Sequence, residues 1–245
     1  MRKIKIILEY DGTGYRGWQQ QRHRPTIQEI LEETIGTITN EKIKVIGSGR
    51  TDAGVHALNQ VAHFKTSSNL DLGRLFTGIN SLLPKQIAIK ELTEVDENFH
   101  ALHDVTGKTY LYQIYNRPVR SVLYRHYAWH IPYPLDVEKM KEAALFLLGS
   151  HDFSSFCATG TDVATRDRTI RQIDIKSSDD GFIRIRIEAD GFLRYMVRNI
   201  IGTLVDVGRG KTHPAELRTI LNAKDRKAAG MTAPPYGLFL KDVKY

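Results

Sequence analysis

The apolar residues change their spacing along this chain, and the order of those changes restricts the fold more than any other property. Ile4, Ile6 and Leu8 alternate with Lys3, Lys5 and Glu9, the mark of a half-buried strand, which ends at Tyr10-Asp11-Gly12. Thr26 and Glu29 form a capping box, after which Ile27, Ile30, Leu31, Thr34, Ile35 and Ile38 recur at helical spacing. A β-branched run, Ile43, Val45 and Ile46, predicts a strand, and Val61 to Phe64 predicts another. Asp71 caps a second helix along Leu72, Leu75, Phe76, Ile79 and Leu83, stopped by Pro84, and Ile87, Ile89 and Leu92 make a further strand. Strand, helix, strand, strand, helix, strand is the ferredoxin-like order, in which two helices cover one face of an antiparallel sheet and the other face is left free for a ligand.

From Thr106 the order restarts with larger insertions. A strand over Lys108 to Tyr115 leads through a polar loop, Asn116 to His130, to a helix opened by Asp136 that carries Val137, Met140, Ala144, Leu147 and Leu148 and closes at Gly149. Strands follow at Ile170 to Ile175 and Ile183 to Ala189. A long amphipathic helix then runs through Leu193, Met196, Val197, Ile200, Ile201, Leu204 and Val207 to Gly208-Arg209-Gly210. A short helix with Pro214 in its first turn and a strand over Leu238 to Val243 complete the pattern. The fold expected is α+β: two ferredoxin-like half-domains, residues 1–105 and 106–245, whose antiparallel sheets join edge to edge around a central cleft.

Lys and Arg number 35 against 28 Asp and Glu, a formal net charge of +7, which favours a polyanionic partner. Cys157 is the only cysteine, so there is neither a disulfide framework nor a thiolate metal cluster. No apolar run approaches membrane-spanning length and Met1 leads directly into a strand, so the expectation is a cytosolic, cytoplasmic protein with no membrane partner.

The chemistry is expected in Gly47-Ser48-Gly49-Arg50-Thr51-Asp52-Ala53-Gly54-Val55-His56-Ala57, a glycine-rich stretch between two strand runs. If it stays extended, Arg50 and Asp52 project to one side, and a guanidinium beside the carboxylate favours the ionised, nucleophilic form of Asp52. Standing alone, the same pair is an ordinary surface ion pair. Residues 13–23 combine Arg16, Gln19 and further basic and amide groups with Tyr15 and Trp18. Such a loop either touches phosphates and stacks on bases or folds back as a small apolar cluster. Residues 155–171, with Arg166, Arg168 and Arg171, are either a cationic loop that closes over phosphates or a solvated linker. Tyr110 shares a strand face with Tyr112, and Arg198 lies on the amphipathic helix outside its main apolar stripe. His56 with His63, and His100 with His103, fit no metal-ligand spacing, and there is no nucleotide-binding glycine motif, so neither a metal nor a cofactor is expected.

Taken together, the motifs resemble those of the TruA family of tRNA pseudouridine synthases. Gly49 to Ala57 is similar to that family's catalytic motif, and Tyr10-Asp11-Gly12 with Tyr15, Gly17, Trp18, Gln19 and Gln21 to its first motif. Lys108-Thr109-Tyr110-Leu111-Tyr112 resembles the strand bearing its active-site tyrosine. Gly191-Phe192-Leu193 with Met196-Val197-Arg198-Asn199 resembles its arginine helix, and Thr232 to Leu238 its closing motif, with Pro235 where a small residue is expected. The resemblance implies the pseudouridine synthase fold and a homodimer without cofactor. It implies isomerisation of uridine at positions 38 to 40 of tRNA, in the anticodon stem-loop. Asp52 is then the nucleophile, at C1′ or C6, or a base toward the 2′ proton; Arg50 and Arg198 keep it ionised, Tyr110 packs on the flipped base, and Leu238 walls the site. The alternatives are a non-catalytic RNA-binding protein and, more remotely, a metal-dependent hydrolase.

Overall fold

The computed structural model describes residues 1–21, 25–161 and 163–245; parts of two polar loops singled out in the sequence, at 22–23 and 162, lie outside them. The described residues form two compact units, Met1–Thr106 with Phe239–Tyr245, and Gly107–Leu238.

The first unit contains β1 (Arg2–Tyr10), α1 (Ile27–Thr39), β2 (Ile46–Gly47), β3 (His56–Thr66), α2 (Leu72–Leu82) and β4 (Ile87–Val95). β1 lies between β4 and β3, antiparallel to both. β2 pairs with the later part of β3, Ile46 opposite His63, whereas its first residues, His56 and Ala57, take Phe239 and Leu240 of the closing strand in parallel. This is the ferredoxin-like arrangement the element order predicts, with β2 shortened. The reason lies in the neighbouring helix: Val45 N–H donates to Glu32 Oε1 at 2.9 Å and Gln28 Nε2 donates to the Val45 carbonyl at 3.0 Å, so side chains take the hydrogen bonds a longer strand would make. Ile4, Ile6, Leu8, Ile27, Leu31, Ile35, Phe64, Leu75 and Ile79 make the core. The opposite face of this sheet is partly covered, not open as expected. Lys3 Nζ donates to the Phe99 carbonyl at 2.7 Å, Lys5 lies over the rings of Phe99 and Tyr245, and Ala101 N–H donates to His63 Nδ1 at 3.1 Å.

The second unit contains β5 (Gly107–Tyr115), β6 (Trp129–His130), α3 (Val137–Leu145), β7 (Gly149–Asp152), β8 (Asp167–Ser177), β9 (Phe182–Ala189), α4 (Met196–Gly208) and α5 (Glu216–Ala223). β9 lies between β5 and β8, antiparallel to both; β7 extends the sheet beyond β8, and β6 runs parallel to β5. Strands β5, β9 and β8 take the first, third and second places of the ferredoxin-like pattern. The closing strand β10 (Leu238–Lys244), which the element order assigns to this half, falls in the first unit from Phe239 onward. The boundaries therefore differ from 1–105 and 106–245 chiefly in the last seven residues, Phe239–Tyr245, which group with the first unit, where Phe239 pairs with His56 and Leu240 with Ala57.

Candidate active site

In the first unit the Arg50 to Asp52 segment is irregular backbone, held on both sides by buried groups. Exposure alternates along it: Arg50 is exposed, Thr51 buried and Asp52 partly exposed, so the two charged side chains face away from the core while the residue between them anchors it. The Thr51 hydroxyl lies 2.8 Å from the phenol of Tyr10, and its carbonyl accepts from Trp18 N–H at 3.1 Å. Burial pushes the Tyr10 phenol up to about 12, more than its hydrogen bond to Thr51 lowers it, so it stays neutral and able to donate at physiological pH. On the N-terminal side Ser48 Oγ donates to Gln60 Oε1 at 2.6 Å, and Gln60 Nε2 donates to the Gly49 carbonyl at 3.2 Å. Beyond Asp52, Val55 N–H donates to its carbonyl at 3.1 Å and Gly54, at φ 76°, makes the turn into β3. The loop is thus fixed by a polar network, a state that limits the reorganisation needed when a substrate arrives.

The Gly12 to Gln21 segment is the other half of this arrangement. Arg50 Nε donates to Gln19 Oε1 at 3.0 Å, which brings those two predicted site residues together. Arg16 is exposed, as an RNA contact requires. Trp18 is not: only 2 % of it is accessible, its ring lies 6.3 Å from that of Tyr10, and a β-carbon on Gly47 would come within 2.5 Å of the indole. Of the two readings of this loop, Trp18 follows the one in which its aromatics fold back, and its assignment as a substrate-binding residue is corrected, since a ring so enclosed offers no face to a nucleotide. It is the pin between the first loop and the Arg50 to Asp52 segment.

In the second unit Tyr110 is buried, with Phe192 edge-on at 5.1 Å and 89°. It stands at one end of the apolar stripe Tyr110, Tyr112 and Ile114 of β5, not on an open sheet face. Arg198, in the first turn of α4, is partly exposed; its Nε donates to the Ala233 carbonyl at 2.7 Å while the Arg198 carbonyl accepts from Ala233 N–H at 3.1 Å. The Tyr195 ring lies under the guanidinium at 4.8 Å. Asn199 and Thr232 join the same two segments through a 2.7 Å hydrogen bond, so the arginine helix and the closing motif are positioned as one piece. Pro235 fits at the first position of a 3₁₀ turn, Pro235–Gly237, where its missing N–H has no partner to lose. Leu238 is buried at the head of β10. Arg168 lies beside Gly191, and Lys108, two residues before Tyr110, is a neighbour of Arg168 that sequence reasoning passed over. Its place on the face of Tyr110 was readable from the period of two.

Among the described residues no group of three or more His, Cys, Asp and Glu is placed to hold a metal ion, and no helix is long and apolar enough to cross a membrane. His63 packs against His100 at 5.0 Å rather than with His56.

A hydrogen-bonded loop presenting one partly exposed carboxylate, in an α+β chain with a net charge of +7, suits an enzyme acting on a polyanion such as nucleic acid. Comparison with known proteins specifies which. The family of tRNA pseudouridine synthases matches residues 6–104 and 143–245, and the chain belongs to that family, whose members are isomerases. It is 46 % identical over 245 residues to the tRNA pseudouridine synthase A of Thermoanaerobacter sp. (strain X514), covering both proteins completely. It is 48 % identical over 245 residues to the tRNA pseudouridine synthase A 2 of Clostridium perfringens (strain 13 / Type A), again over all of both chains. Among solved structures, a chain of a Cbf5-Nop10-Gar1 complex superposes with a TM-score of 0.41 at 14 % identity, covering 97 % of this chain and 48 % of that one, a likeness too loose to bear on the site.

Proposed function

We propose that this enzyme isomerises uridine to pseudouridine at positions 38 to 40 of tRNA, in the anticodon stem-loop, with Asp52 as the nucleophile. The observation that carries the reading is a carboxylate left partly exposed on a loop otherwise fixed by buried hydrogen bonds, inside a stretch that sits in a full-length match to tRNA pseudouridine synthases. The reaction breaks the N1 to C1′ bond, turns the base, and joins C5 to C1′; the C5 proton is lost and N1 gains one, so mass is unchanged. Residue chemistry matches these needs. A carboxylate attacks, or accepts a proton, without any second substrate, and Arg50 and Arg198 are cations that favour its ionised form.

Tyr110 packs against the extruded uracil and Leu238 adds apolar wall, which keeps water from a detached base. Arg16, Gln19 and Arg168 contact the RNA, and Trp18 acts only through the loop it pins. The assembly is a homodimer working in the cytoplasm without cofactor, in which Met1–Thr106 with Phe239–Tyr245 carries the aspartate loop and Gly107–Leu238 carries the tyrosine and the arginine. The test is Asp52→Asn. The variant is expected to bind tRNA as the parent does and to form no pseudouridine in a nucleoside assay of the digested tRNA. Pseudouridine formed at the parental rate would remove Asp52 from the chemistry, and a parent protein that binds tRNA but converts no uridine would favour a purely RNA-binding role.

A further inference from the structure

Lys108 is the only charged residue of the tyrosine strand β5, and the reading above gives it no task. Register places it. Lys108 pairs with Ala189 of β9, and Ala189 with Ile170 of β8; directly paired residues share a sheet face, and so do residues two apart. Lys108, Tyr110 and Arg168 therefore lie on one face. The cluster is continuous: Phe192 packs edge-on against Tyr110, and a β-carbon on the adjoining Gly191 would lie 3.5 Å from Arg168 Nε.

Among the described residues, no carboxylate forms an ion pair with Lys108 or Arg168. Lys108 makes no hydrogen bond or ion pair with any described residue, and Arg168 uses only Nη1, toward the carbonyls of Thr165 at 3.2 Å and Asp167 at 2.6 Å. The other charged groups of the paired strands are turned away. Glu188 lies opposite Thr109, and Arg171 reaches to within 2.8 Å of where a β-carbon on Gly107 would sit, both on the reverse face. Two partly buried cations on one sheet face repel each other, and an anion between them relieves that repulsion.

We propose that Lys108 and Arg168 together hold one backbone phosphate of the RNA beside the ring of Tyr110, so that this strand carries both the surface that receives the base and the ammonium that fixes its phosphate. The inference rests on the placement of the uridine near Tyr110 proposed above. Burial first, and then the Arg168 guanidinium, pull the free Lys108 ammonium down to about 8, and a bound phosphate restores the charge. Binding of RNA then takes up a proton above that pH, and affinity falls as pH rises from 7 to 9.

The experiment measures binding of a tRNA transcript against salt and pH, in the Asp52→Asn background so that chemistry does not intrude. The double variant Lys108→Met with Arg168→Met is expected to bind more weakly, with a log Kd against log salt slope shallower by about 0.7–0.9, the loss of one phosphate contact. Lys108→Arg is expected to keep the parental slope and to lose the part of the alkaline weakening that Lys108 contributes, approaching tenfold per pH unit above 8. An unchanged slope in a double variant that melts like the parent overturns the proposal. So does Lys108→Arg that weakens with alkaline pH as the parent does, a readout that stands if the double variant fails to fold. Pseudouridine formation by the parent is scored separately: its absence sinks the functional reading, whereas an unaltered slope beside normal conversion sinks only the phosphate site.

Discussion

Thr51 separates the two charged residues of the aspartate loop, and the hydroxyl pair it makes with Tyr10 is buried. Tyr10→Phe leaves that hydroxyl without its partner in a site water does not reach, which costs about 1–3 kcal/mol. The variant is expected to unfold at lower urea concentration and to form pseudouridine more slowly than the parent, with a smaller defect than Asp52→Asn. An unchanged urea midpoint would show that the loop does not depend on this contact. His63 supplies a second residue-level prediction, of opposite kind. It is buried under residues 99–101, and burial, with the nearby His100, Lys3 and Lys65, pulls its imidazole down to about 4 from the ordinary 6.5. The unfolded chain then binds a proton that the folded one refuses between those pH values, so stability falls as pH drops through 6.5 and levels off near 4. Between pH 7 and 5 the urea-derived stability is expected to fall by roughly 1–2 kcal/mol, and His63→Gln should flatten that dependence. A His63→Gln protein as acid-sensitive as the parent would place the proton elsewhere.

At the scale of elements, the glycines that join the first loop to the aspartate loop offer a controlled comparison. Gly17 and Gly14 both have positive φ, 91° and 84°, but a β-carbon on Gly17 would come within 2.4 Å of the Thr51 carbonyl oxygen, whereas one on Gly14 meets nothing within 4 Å. Gly14→Ala is expected to lose only the conformational term, about 1 kcal/mol, with near-parental turnover. Gly17→Ala carries that strain and must also displace the segment next to Asp52, so initial rates of pseudouridine formation should fall by an order of magnitude or more. Equal rates in the two variants would refute the dependence of Asp52 on this packing. The same elements show what a sequence makes legible. Helix starts are local, and Thr26, Asp71 and Asp136 cap α1, α2 and α3 through the N–H groups of Glu29, Arg74 and Lys139 as their spacing predicts. What depends on distant partners was not legible. Ile43 to Ile46 reads as a strand until Glu32 and Gln28 take the Val45 hydrogen bonds, and the sequence leaves Trp18 either stacking on a base or folded back, a choice decided only where Gly47 clears the space that encloses the ring. The aspartate motif was legible because its glycines and charges lie in one short segment, whereas the charge relation of Lys108 and Arg168 arises only through the register of three strands.

The whole chain carries its most distal dependence at its end. Phe239–Tyr245 follow the last residue of the second unit yet belong to the first, whose other members stop at Thr106. They are bound there by varied contacts. Phe239 stacks on His56 at 4.7 Å, Asn59 Nδ2 donates to the Lys241 carbonyl at 2.9 Å and to Asp242 Oδ1 at 3.0 Å, Thr106 N–H donates to the Lys244 carbonyl at 2.9 Å, and the Tyr245 phenol donates to the Ala101 carbonyl at 2.8 Å. His56 is four residues after Asp52, and Gly12 N–H donates to its ring nitrogen at 3.0 Å, so the terminal strand supports the point where the aspartate loop and the first loop meet β3. A chain ending at Leu238 exposes the edge of β3 at His56 and Ala57 and uncovers the Phe239-facing side of His56, while leaving β5, β8 and β9 with their mutual pairings. Amide hydrogen exchange on the shortened protein is expected to quicken at residues 55–60 and 99–106, with β8 and β9 protected as before, and pseudouridine formation is expected to be lost with the ordering of the Asp52 loop. Addition of a synthetic peptide of residues 239–245 should restore part of that protection. Exchange that quickens equally throughout both units would mean that the terminal strand stabilises the whole molecule rather than the unit that carries Asp52.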